Sequence, residues 1–591
     1  MAWLAAAGSA EPLRAATLEA TPAAAANEHT RARADASADA VASADAGADA
    51  GAGAGAARAR ARGADALFTD FTRPGSPGLA LGIWHNGKVA YRQSYGRANL
   101  EQHTPITSQT VFHVASLSKQ FTALSIALLA RDGKLKLDDD VRRYLPYVPP
   151  FGITLDNLVH HTSGLRDQWL LFDLAGHEGV RRQHQVVNMV ARQRGLNFAP
   201  GTDYAYSNTG YTLLAETVAA VSGKSFRQFT QEQVFAPLGM SHSFFYDDYN
   251  EIVPNRAESY EPAPKSATGW QRIPLNYETF GATSLHTTLD DMMLYVAHLS
   301  RPVIGDAALQ TQLRAPGHLR DGSPVNYGFG LLTRDYAGHK AVLHTGADAG
   351  FAAIVAYLPA DDFGVVILTN TPMDLHEPVT KIVNIWLNDG APLRPPVLAP
   401  AALLPKARLA EIAGRYTGPA DRLITLDLQG DTLVWKTLTN TGEKVVFRKD
   451  GSFDLDEREW NYYRLRRGPR GEILGFDSID SRGQETTKLY RRLPADDLPR
   501  PPLDELAGDY HSEELDITYQ FRVESGQLIA RSLWRFEPVR FTAVAADRFE
   551  SSEWWIPILT VRRDASGKPA ALLVTSSRAR AIVLDRVPSA K

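Results

Sequence analysis

The chain has 591 residues, of which 44% are hydrophobic and 22% are charged, and its formal net charge is −4. This composition is typical of a globular protein of three or four domains, and the lack of a long basic block argues against a nucleic-acid partner. Without cysteine, disulfides, thiolate catalysis and Cys-ligated zinc are excluded, and no apolar run approaches the roughly 18 residues of a transmembrane helix.

Residues 1–65 are expected to form no packed core. The chain begins MAWLAAAGSAEPL, an apolar stretch with small residues but no basic n-region, which we interpret as a degenerate export signal. The Ala/Gly/Asp/Arg tract that follows has few large apolar residues to offset chain entropy, so we predict that it is disordered. The signal predicts a periplasmic or secreted protein, with the cytoplasm as the alternative.

Residues 66–390 carry strand patterns at both ends and helix patterns between them. LALGIW and KVAYRQSYG, joined through Asn-Gly, predict a hairpin. Helix patterns follow Ser116, where the helix ends at a glycine, and cover Asn208–Val221 and Leu289–Leu299. The runs AVLHTG, GFAAIVAYLP and FGVVILTN then predict strands. This order predicts an α+β or α/β layer structure with one sheet.

Two similar segments end the chain, each preceded by a Pro-rich junction (APLRPPVLAPAALLPKA and LPADDLPRPPL). LAEIAGRY from Leu409 matches LDELAGDY from Leu503, and both continue into strands with apolar residues at every second position. Two copies of a roughly 90-residue antiparallel unit are the economical interpretation. We therefore predict small closed β-barrels at residues 408–493 and 503–591.

The first chemical motif is Ser116 followed three residues later by Lys119. Residues at this spacing share one helix face, so an amine can reach a hydroxyl. A neutral lysine with a lowered pKa can take the proton of the serine and make it a nucleophile. The alternative is a chance Ser-x-x-Lys spacing on a helix surface.

Two further motifs have both a structural and a functional interpretation. Asn208 can cap a helix, with Tyr206 packed at the edge of the core, or it can hold a substrate amide while Tyr206 relays protons. His344 can be a half-buried histidine at a strand end, or part of a catalytic His-Thr-Gly sequence.

Together the three motifs resemble those of the penicillin-recognising serine hydrolases, namely Ser-x-x-Lys, Tyr-x-Asn and Lys/His-Thr-Gly. The surrounding text is similar too: VFHVASLSKQFTA, LVHHTSGL, PGTDYAYSNTGY and YGFGL. The resemblance covers roughly Leu67 to Asn388 and includes class C β-lactamases, related esterases and D-aminopeptidases. It implies an α+β, β-lactamase/transpeptidase-like domain with an antiparallel sheet and helices.

The resemblance also implies roles for single residues. Ser116 is the acyl-accepting nucleophile, Lys119 is its base, and Tyr206 passes the proton to the leaving group. Tyr206 and His344 activate the hydrolytic water, and the backbone N–H groups of Ser116 and Ala347 form the oxyanion hole. The resemblance assigns substrate binding to four positions: Asn208, Thr345, Gly346 and Ala347. It implies no metal and no cofactor, and it leaves His161 in HTSGL as a structural turn residue.

Two features of the sequence indicate which branch of these hydrolases it resembles. His344 stands where penicillin-binding relatives usually have a lysine, which looks like the D-aminopeptidase, D-amino-acid amidase and esterase branch. The tandem barrels look like bacterial D-aminopeptidases, in which a loop of the last barrel enters the active site. Ser551–Pro557, with two tryptophans, is the candidate loop, and a strand that packs both into the barrel core is the alternative.

The expected function is therefore hydrolysis of short peptides or amides through a Ser116 acyl-enzyme, with release of N-terminal D-amino acids. The first alternative is a β-lactamase-family esterase or weak class C-type β-lactamase. The second is a non-catalytic penicillin-binding or cell-wall-binding protein. The expected partner is a small molecule or short peptide. The sequence does not determine the oligomeric state, and a homodimer is one of the possibilities.

Overall fold

The structure of the protein is a computed structural model that describes residues 50–177, 179–391, 399–418, 423–438, 442–455, 461–480, 488–493, 502–533 and 535–588. The predicted export signal lies in residues 1–49, outside the described residues. So do parts of both Pro-rich junctions, 392–398 and 494–501. Within the described ranges, no helix combines the length and apolarity that crossing a membrane requires.

The part of the chain that precedes the two barrels, called the first region below, contains seventeen of the described strands. In chain order they are β1 (Leu79–His85), β2 (Lys88–Tyr95), β3 (Arg97–Asn99), β4 (Thr104–Pro105), β5 (Phe112–His113), β6 (Arg181–Arg182), β7 (Phe244–Phe245), β8 (Tyr260–Pro262), β9 (Trp270–Arg272), β10 (Tyr277–Glu278), β11 (Leu285–Thr287), β12 (Gly317–His318), β13 (Pro324–Val325), β14 (Leu332–Tyr336), β15 (His339–Asp348), β16 (Phe351–Leu358) and β17 (Phe363–Thr369). Six of them form one antiparallel sheet in the order β14-β15-β16-β17-β1-β2. This antiparallel sheet confirms the α+β prediction and excludes the α/β alternative. The predicted hairpin is β1–β2, whose turn residues Asn86 and Gly87 both have positive φ, at 52° and 78°.

Helices cover both faces of this sheet. They are α1 (Ala50–Ala66), α2 (Ser118–Arg131), α3 (Leu155–Val159), α4 (Gln168–Leu174), α5 (Gln183–Arg192), α6 (Asn208–Ser222), α7 (Phe226–Thr230), α8 (Ala236–Leu238), α9 (Leu289–Ser300), α10 (Ala307–Arg314) and α11 (His376–Leu387). Along β1, Leu79, Leu81 and Ile83 pack into the same core as α11, whereas Ala80 and Trp84 pack into the core of α2 and α9. Because both faces are covered, the strand is apolar throughout and does not alternate with polar residues.

The prediction of disorder is wrong for residues 50–65, which belong to helix α1. Alanine is the best helix former, and the end of the helix buries Ala64 and the following Phe68 completely against the sheet. The Asp65 carboxylate accepts a hydrogen bond from the Tyr95 hydroxyl at 2.6 Å. Anchoring at one end offsets the chain entropy that the low-complexity composition alone cannot.

Two closed eight-stranded antiparallel barrels follow, which confirms the predicted tandem barrels. After helix α12 (Lys406–Ile412), the first barrel contains β18 (Gly414–Thr417), β19 (Leu423–Gln429), β20 (Thr432–Lys436), β21 (Glu443–Phe447), β22 (Ser452–Leu455), β23 (Asn461–Arg467), β24 (Ile473–Asp480) and β25 (Lys488–Arg492). The second contains β26 (Gly508–Ser512), β27 (Ile517–Glu524), β28 (Gln527–Ser532), β29 (Arg535–Ala545), β30 (Arg548–Glu550), β31 (Ile558–Arg563), β32 (Pro569–Thr575) and β33 (Ile582–Arg586). The repeat extends to side chains, since Arg492 stacks on Tyr416 in one copy and Arg586 on Tyr510 in the other.

The second barrel is docked on the first region through a buried ion pair. Residues from Ala57 onward form one compact unit. Arg166 donates from one guanidinium nitrogen to both carboxylate oxygens of Glu514, at 2.5 and 2.6 Å, and the two side chains are only 5% and 6% exposed. The other nitrogens of Arg166 donate to the Arg580 carbonyl at 3.0 and 3.2 Å. Arg166 therefore ties both β26–β27 and β32–β33 connections to the helical region.

Candidate active site

Ser116 lies in a strained turn that leads into α2. Ala115 has a positive φ of 48°, which is uncommon for a residue other than glycine. Ser116 occupies a 3₁₀ turn, Ala115–Leu117, and is half-buried, whereas its neighbours are buried. The turn therefore presents the serine hydroxyl at the end of an otherwise apolar helix.

Lys119, in the first turn of α2, is completely buried and reaches three oxygens. Its Nζ lies 2.8 Å from Asn208 Oδ1, 2.7 Å from the Ala282 carbonyl oxygen and 3.0 Å from Ser116 Oγ. Burial lowers the pKa of Lys119 well below its usual value; the charge of Asp167 opposes this shift. Because amide and carbonyl oxygens only accept, the two N–H groups of a neutral amine go to Asn208 and Ala282. The nitrogen lone pair then faces the Ser116 hydroxyl.

Asn208 begins α6 and fixes this arrangement. Its side-chain nitrogen and its backbone N–H both donate to Asp167 Oδ2 at 2.8 Å. Since a carboxylate only accepts, this contact sets the orientation of the amide and directs Oδ1 towards Lys119. Asn208 is thus neither a plain helix cap nor free to rotate. Asp167 was missed by sequence analysis, although it follows HTSGL by two residues.

Tyr206 lies on the other side of the serine. Lys119 Nζ is 4.8 Å from the centroid of the Tyr206 ring, and the His344 ring centroid is 6.4 Å away. Burial raises the pKa of Tyr206 above its usual value, although a hydrogen bond with Ser116 and the charge of Arg578 oppose the shift. Tyr206 is therefore a neutral phenol that can donate or relay a proton, and not a preformed tyrosinate.

His344 has a partner at each ring nitrogen. Nδ1 lies 2.6 Å from the Thr345 carbonyl oxygen, so it carries the proton, and Nε2 accepts from the Tyr327 hydroxyl at 2.9 Å. Burial lowers the pKa of His344 to about 3, and the charge of Lys119 adds to the shift. The imidazole is neutral with no free nitrogen, so it cannot take a proton from water in this arrangement. Tyr327 belongs to YGFGL, which the sequence analysis quoted without a role.

Strand β15 passes the serine turn at Gly346. A Cβ atom there would lie 2.2 Å from the Val114 carbonyl oxygen and 3.1 Å from Ser116 N. Only glycine permits so close an approach. The contact brings the backbone of Thr345 and Ala347 beside the serine, and Ala347 is exposed at the surface of the cleft. The structure therefore brings together all eight residues that the sequence selected.

His161 supports this cleft from behind. It is fully buried, its Nδ1 accepts from the Ser207 backbone N–H at 3.1 Å, and its ring lies 4.3 Å from that of Tyr206. Burial lowers its pKa well below the usual value. These contacts agree with the structural role expected for His161.

A loop of the second barrel closes the cleft, but it is not the predicted one alone. In the β32–β33 connection, the Arg578 carbonyl accepts from Asp167 N at 2.9 Å, and its guanidinium lies 5.1 Å from the Tyr206 ring centroid. In the predicted loop Ser551–Pro557, Trp555 is 2% exposed and packs into the barrel core, whereas Trp554 is 55% exposed and borders a cavity with Arg578. The segment is therefore a loop between β30 and β31 and not a strand, and only one of its two tryptophans packs into the barrel core.

Comparisons with known proteins agree with this geometry. A family model described as Beta-lactamase matches residues 57–387. A D-aminopeptidase of Gluconobacter oxydans is 28% identical over 445 residues, which cover 74% of this chain and 80% of that protein. One from Brucella canis is 27% identical over 332 residues, 55% of this chain, and the match spans only 62% of the relative's length. The octameric penicillin-binding protein homologue from Pyrococcus abyssi has a TM-score of 0.51 at 21% identity, covering 72% of this chain and 99% of that one.

Proposed function

The chain belongs to the Beta-lactamase family, whose model matches residues 57–387, and from this premise we propose that it is a serine hydrolase that releases N-terminal D-amino acids from short peptides or amides. The observation that carries the proposal is the Lys119 amine, held by Asn208 and Ala282 with its lone pair towards Ser116 Oγ. The named D-aminopeptidases among its relatives support the choice of substrate.

Acylation follows from these contacts. Lys119 takes the hydroxyl proton of Ser116 while Oγ attacks the substrate carbonyl carbon. Backbone N–H groups of Ser116 and Ala347 stabilise the oxyanion of the tetrahedral intermediate. On collapse, the C–N bond breaks and the leaving amine receives a proton from the Tyr206 hydroxyl, which is restored from the Lys119 ammonium. The proton thus passes from serine to leaving group without a metal or cofactor.

Deacylation uses the same groups in reverse. A water molecule gives one proton to the Lys119 and Tyr206 pair, its oxygen adds to the acyl carbonyl, and Ser116 Oγ regains a proton as the ester bond breaks. His344, with both nitrogens engaged, positions Tyr327 and the β15 backbone in this proposal. It does not act as the base.

The test compares initial rates on D-alanine and L-alanine p-nitroanilide, using the full chain and Ser116→Ala. We expect turnover of the D-substrate, at least tenfold slower turnover of the L-substrate, and none with the variant. Equal rates on both isomers would overturn the stereochemical proposal. Ser116-dependent hydrolysis of short esters or a cephalosporin, without amide turnover, would indicate the esterase or β-lactamase alternative. Inertness towards all of these substrates would favour the non-catalytic one.

The location and assembly of the protein are proposals as well. The N-terminal sequence favours export to the periplasm or secretion over the cytoplasm, which cell fractionation tests directly. The oligomeric state stays open: a homodimer is one candidate, and the Pyrococcus neighbour is named an octamer. Light scattering of the full chain distinguishes a monomer, a dimer and an octamer.

A further inference from the structure

A cavity of about 680 Å³ lies between the first region and the second barrel. Its lining includes Asp348, Tyr277 and Trp169 from the first region, and Trp554 and Arg578 from the barrel. Arg578 lies against Tyr206, and Asp348 directly follows Ala347 on β15. The cavity is therefore lined by two residues that adjoin the proposed acylation site, Arg578 and Asp348.

Asp348 has one carboxylate oxygen occupied and one open. Its Oδ2 accepts from the Thr283 hydroxyl at 3.2 Å and from the Tyr277 hydroxyl, whose oxygen accepts in turn from His113 Nε2 at 2.8 Å. Among the described residues, none donates to Oδ1, and 26% of the side chain is exposed. Burial raises the pKa of Asp348, but the neighbouring His113 imidazole, 3.8 Å from Oδ2, and the hydrogen bonds from Tyr277 and Thr283 outweigh it, so the pKa is lowered and the carboxylate is ionised.

The other charged groups of this cavity lining differ from Asp348. Asp167 has both oxygens occupied, Oδ1 by Trp169 N at 3.0 Å and Oδ2 by Asn208. Arg181 is paired with Asp173 at 2.5 Å. Arg578 forms no ion pair with Asp348 in the described structure. Within the described lining, Asp348 is thus the carboxylate with one oxygen, Oδ1, that no described residue donates to; its contact with the His113 imidazole, at 3.8 Å, is made by Oδ2.

Aromatic rings line the same cavity as Asp348. The Trp169 and Tyr277 rings lie 5.0 Å apart, and Trp554 borders the same cavity from the barrel. A carboxylate flanked by aromatic faces favours an ammonium group, because both attract a cation. In the proposed acyl-enzyme the substrate carbonyl lies at Ala347 N, its carbon is two bonds from the α-nitrogen, and Asp348 is the next residue along β15.

We propose that Asp348 binds the free α-ammonium group of the substrate's N-terminal residue through Oδ1. The inference rests on the proposed hydrolase function and deepens it, since it restricts the substrates to those with an unblocked amine. It also explains why Asp348 is held ionised in the lining of this cavity. Asp348 acts here in substrate binding and takes no part in the proton transfers at Ser116.

The test measures the ratio of kcat/KM between two substrates that differ only in the amine. For the full chain, kcat/KM is compared between D-phenylalanine methyl ester and its des-amino analogue, methyl 3-phenylpropionate. We expect the free amine to raise kcat/KM about 10- to 100-fold, the range of a charge-assisted hydrogen bond. In Asp348→Asn this ratio should fall to near one, and in Asp335→Asn, an exposed carboxylate on the neighbouring strand, it should keep its wild-type value.

Each outcome decides between the two proposals. A wild-type protein that turns over both esters equally would overturn the ammonium site, whatever the variant does. A ratio in Asp348→Asn within twofold of the wild-type value would do the same. Should Asp348→Asn fail to fold, Asp348→Glu replaces it and is expected to retain most of the preference. If the wild type hydrolyses neither ester beyond the Ser116→Ala background, the proposed hydrolase function fails instead.

Discussion

Replacing Glu514 by alanine is expected to loosen the second barrel and weaken the cleft. The change leaves the Arg166 guanidinium, 5% exposed, without the carboxylate that accepts two of its hydrogen bonds at 2.5 and 2.6 Å. Arginine cannot lose its proton, so the charge stays buried with only carbonyl oxygens around it. Breaking one side of a buried ion pair in this way costs about 3–5 kcal/mol.

The effect should reach catalysis through the next residue. Asp167 follows Arg166, accepts from Asn208 and donates its backbone N–H to the Arg578 carbonyl. A shift of this segment turns the Asn208 amide away from Lys119. We therefore expect kcat/KM of Glu514→Ala to fall at least tenfold, mainly through kcat.

The matched control is Glu513→Ala. Glu513 pairs with Arg194, but these side chains are 65% and 63% exposed, so the loss should not exceed about 1 kcal/mol. The free energy of unfolding is measured by urea titration, together with Arg166→Met/Glu514→Leu, which should recover most of the loss because it removes both charges. Equal costs for Glu513→Ala and Glu514→Ala would refute the reasoning.

Three further predictions concern the proton path. Lys119→Ala should form no acyl-enzyme by mass spectrometry while keeping the wild-type circular dichroism spectrum; near-normal acylation would contradict its role as the base of Ser116. Arg578→Gln removes a positive charge that lowers the pKa of Lys119. The pKa therefore rises, and the acid limb of kcat/KM should move to higher pH; an unchanged or lower limb would count against this. Nitrogen NMR should find His344 neutral and protonated at Nδ1 from pH 5 to 8, because burial lowers its pKa to about 3; a midpoint near 6.5 would be inconsistent with the structure.

Local sequence patterns predicted the elements whose signals are strong on their own. The β1–β2 hairpin has its Asn-Gly turn, and α2 ends two residues before Gly133, which has the positive φ of 69° that favours glycine there. Residues 50–65 were missed because composition describes only the average environment of a tract. Their helix depends on Ala64 meeting the sheet, a contact that no local pattern encodes.

The sequence likewise identified some residues of the candidate site and missed others. Ser116, Tyr206 and His344 sit in short motifs, and the resemblance of those motifs, taken together, to a known family identified them. Arg578 and Asp348 were missed for different reasons. Arg578 meets Tyr206 from the far end of the chain, and Asp348 looks like an ordinary strand-end acid until its Tyr277 and Thr283 partners are known.

The Arg166 contact also determines when the cleft can be covered during synthesis of the chain. Its partner Arg580 lies 414 residues further along the chain. At typical translation speeds, roughly 20–80 s separate the appearance of these two residues. Once Gly346 has been made, all three catalytic motifs exist, but the loop of the second barrel that covers their cleft has not yet been synthesised. A chain that ends before the β32–β33 connection therefore has the catalytic residues but lacks the Arg578 and Arg580 contacts with the cleft.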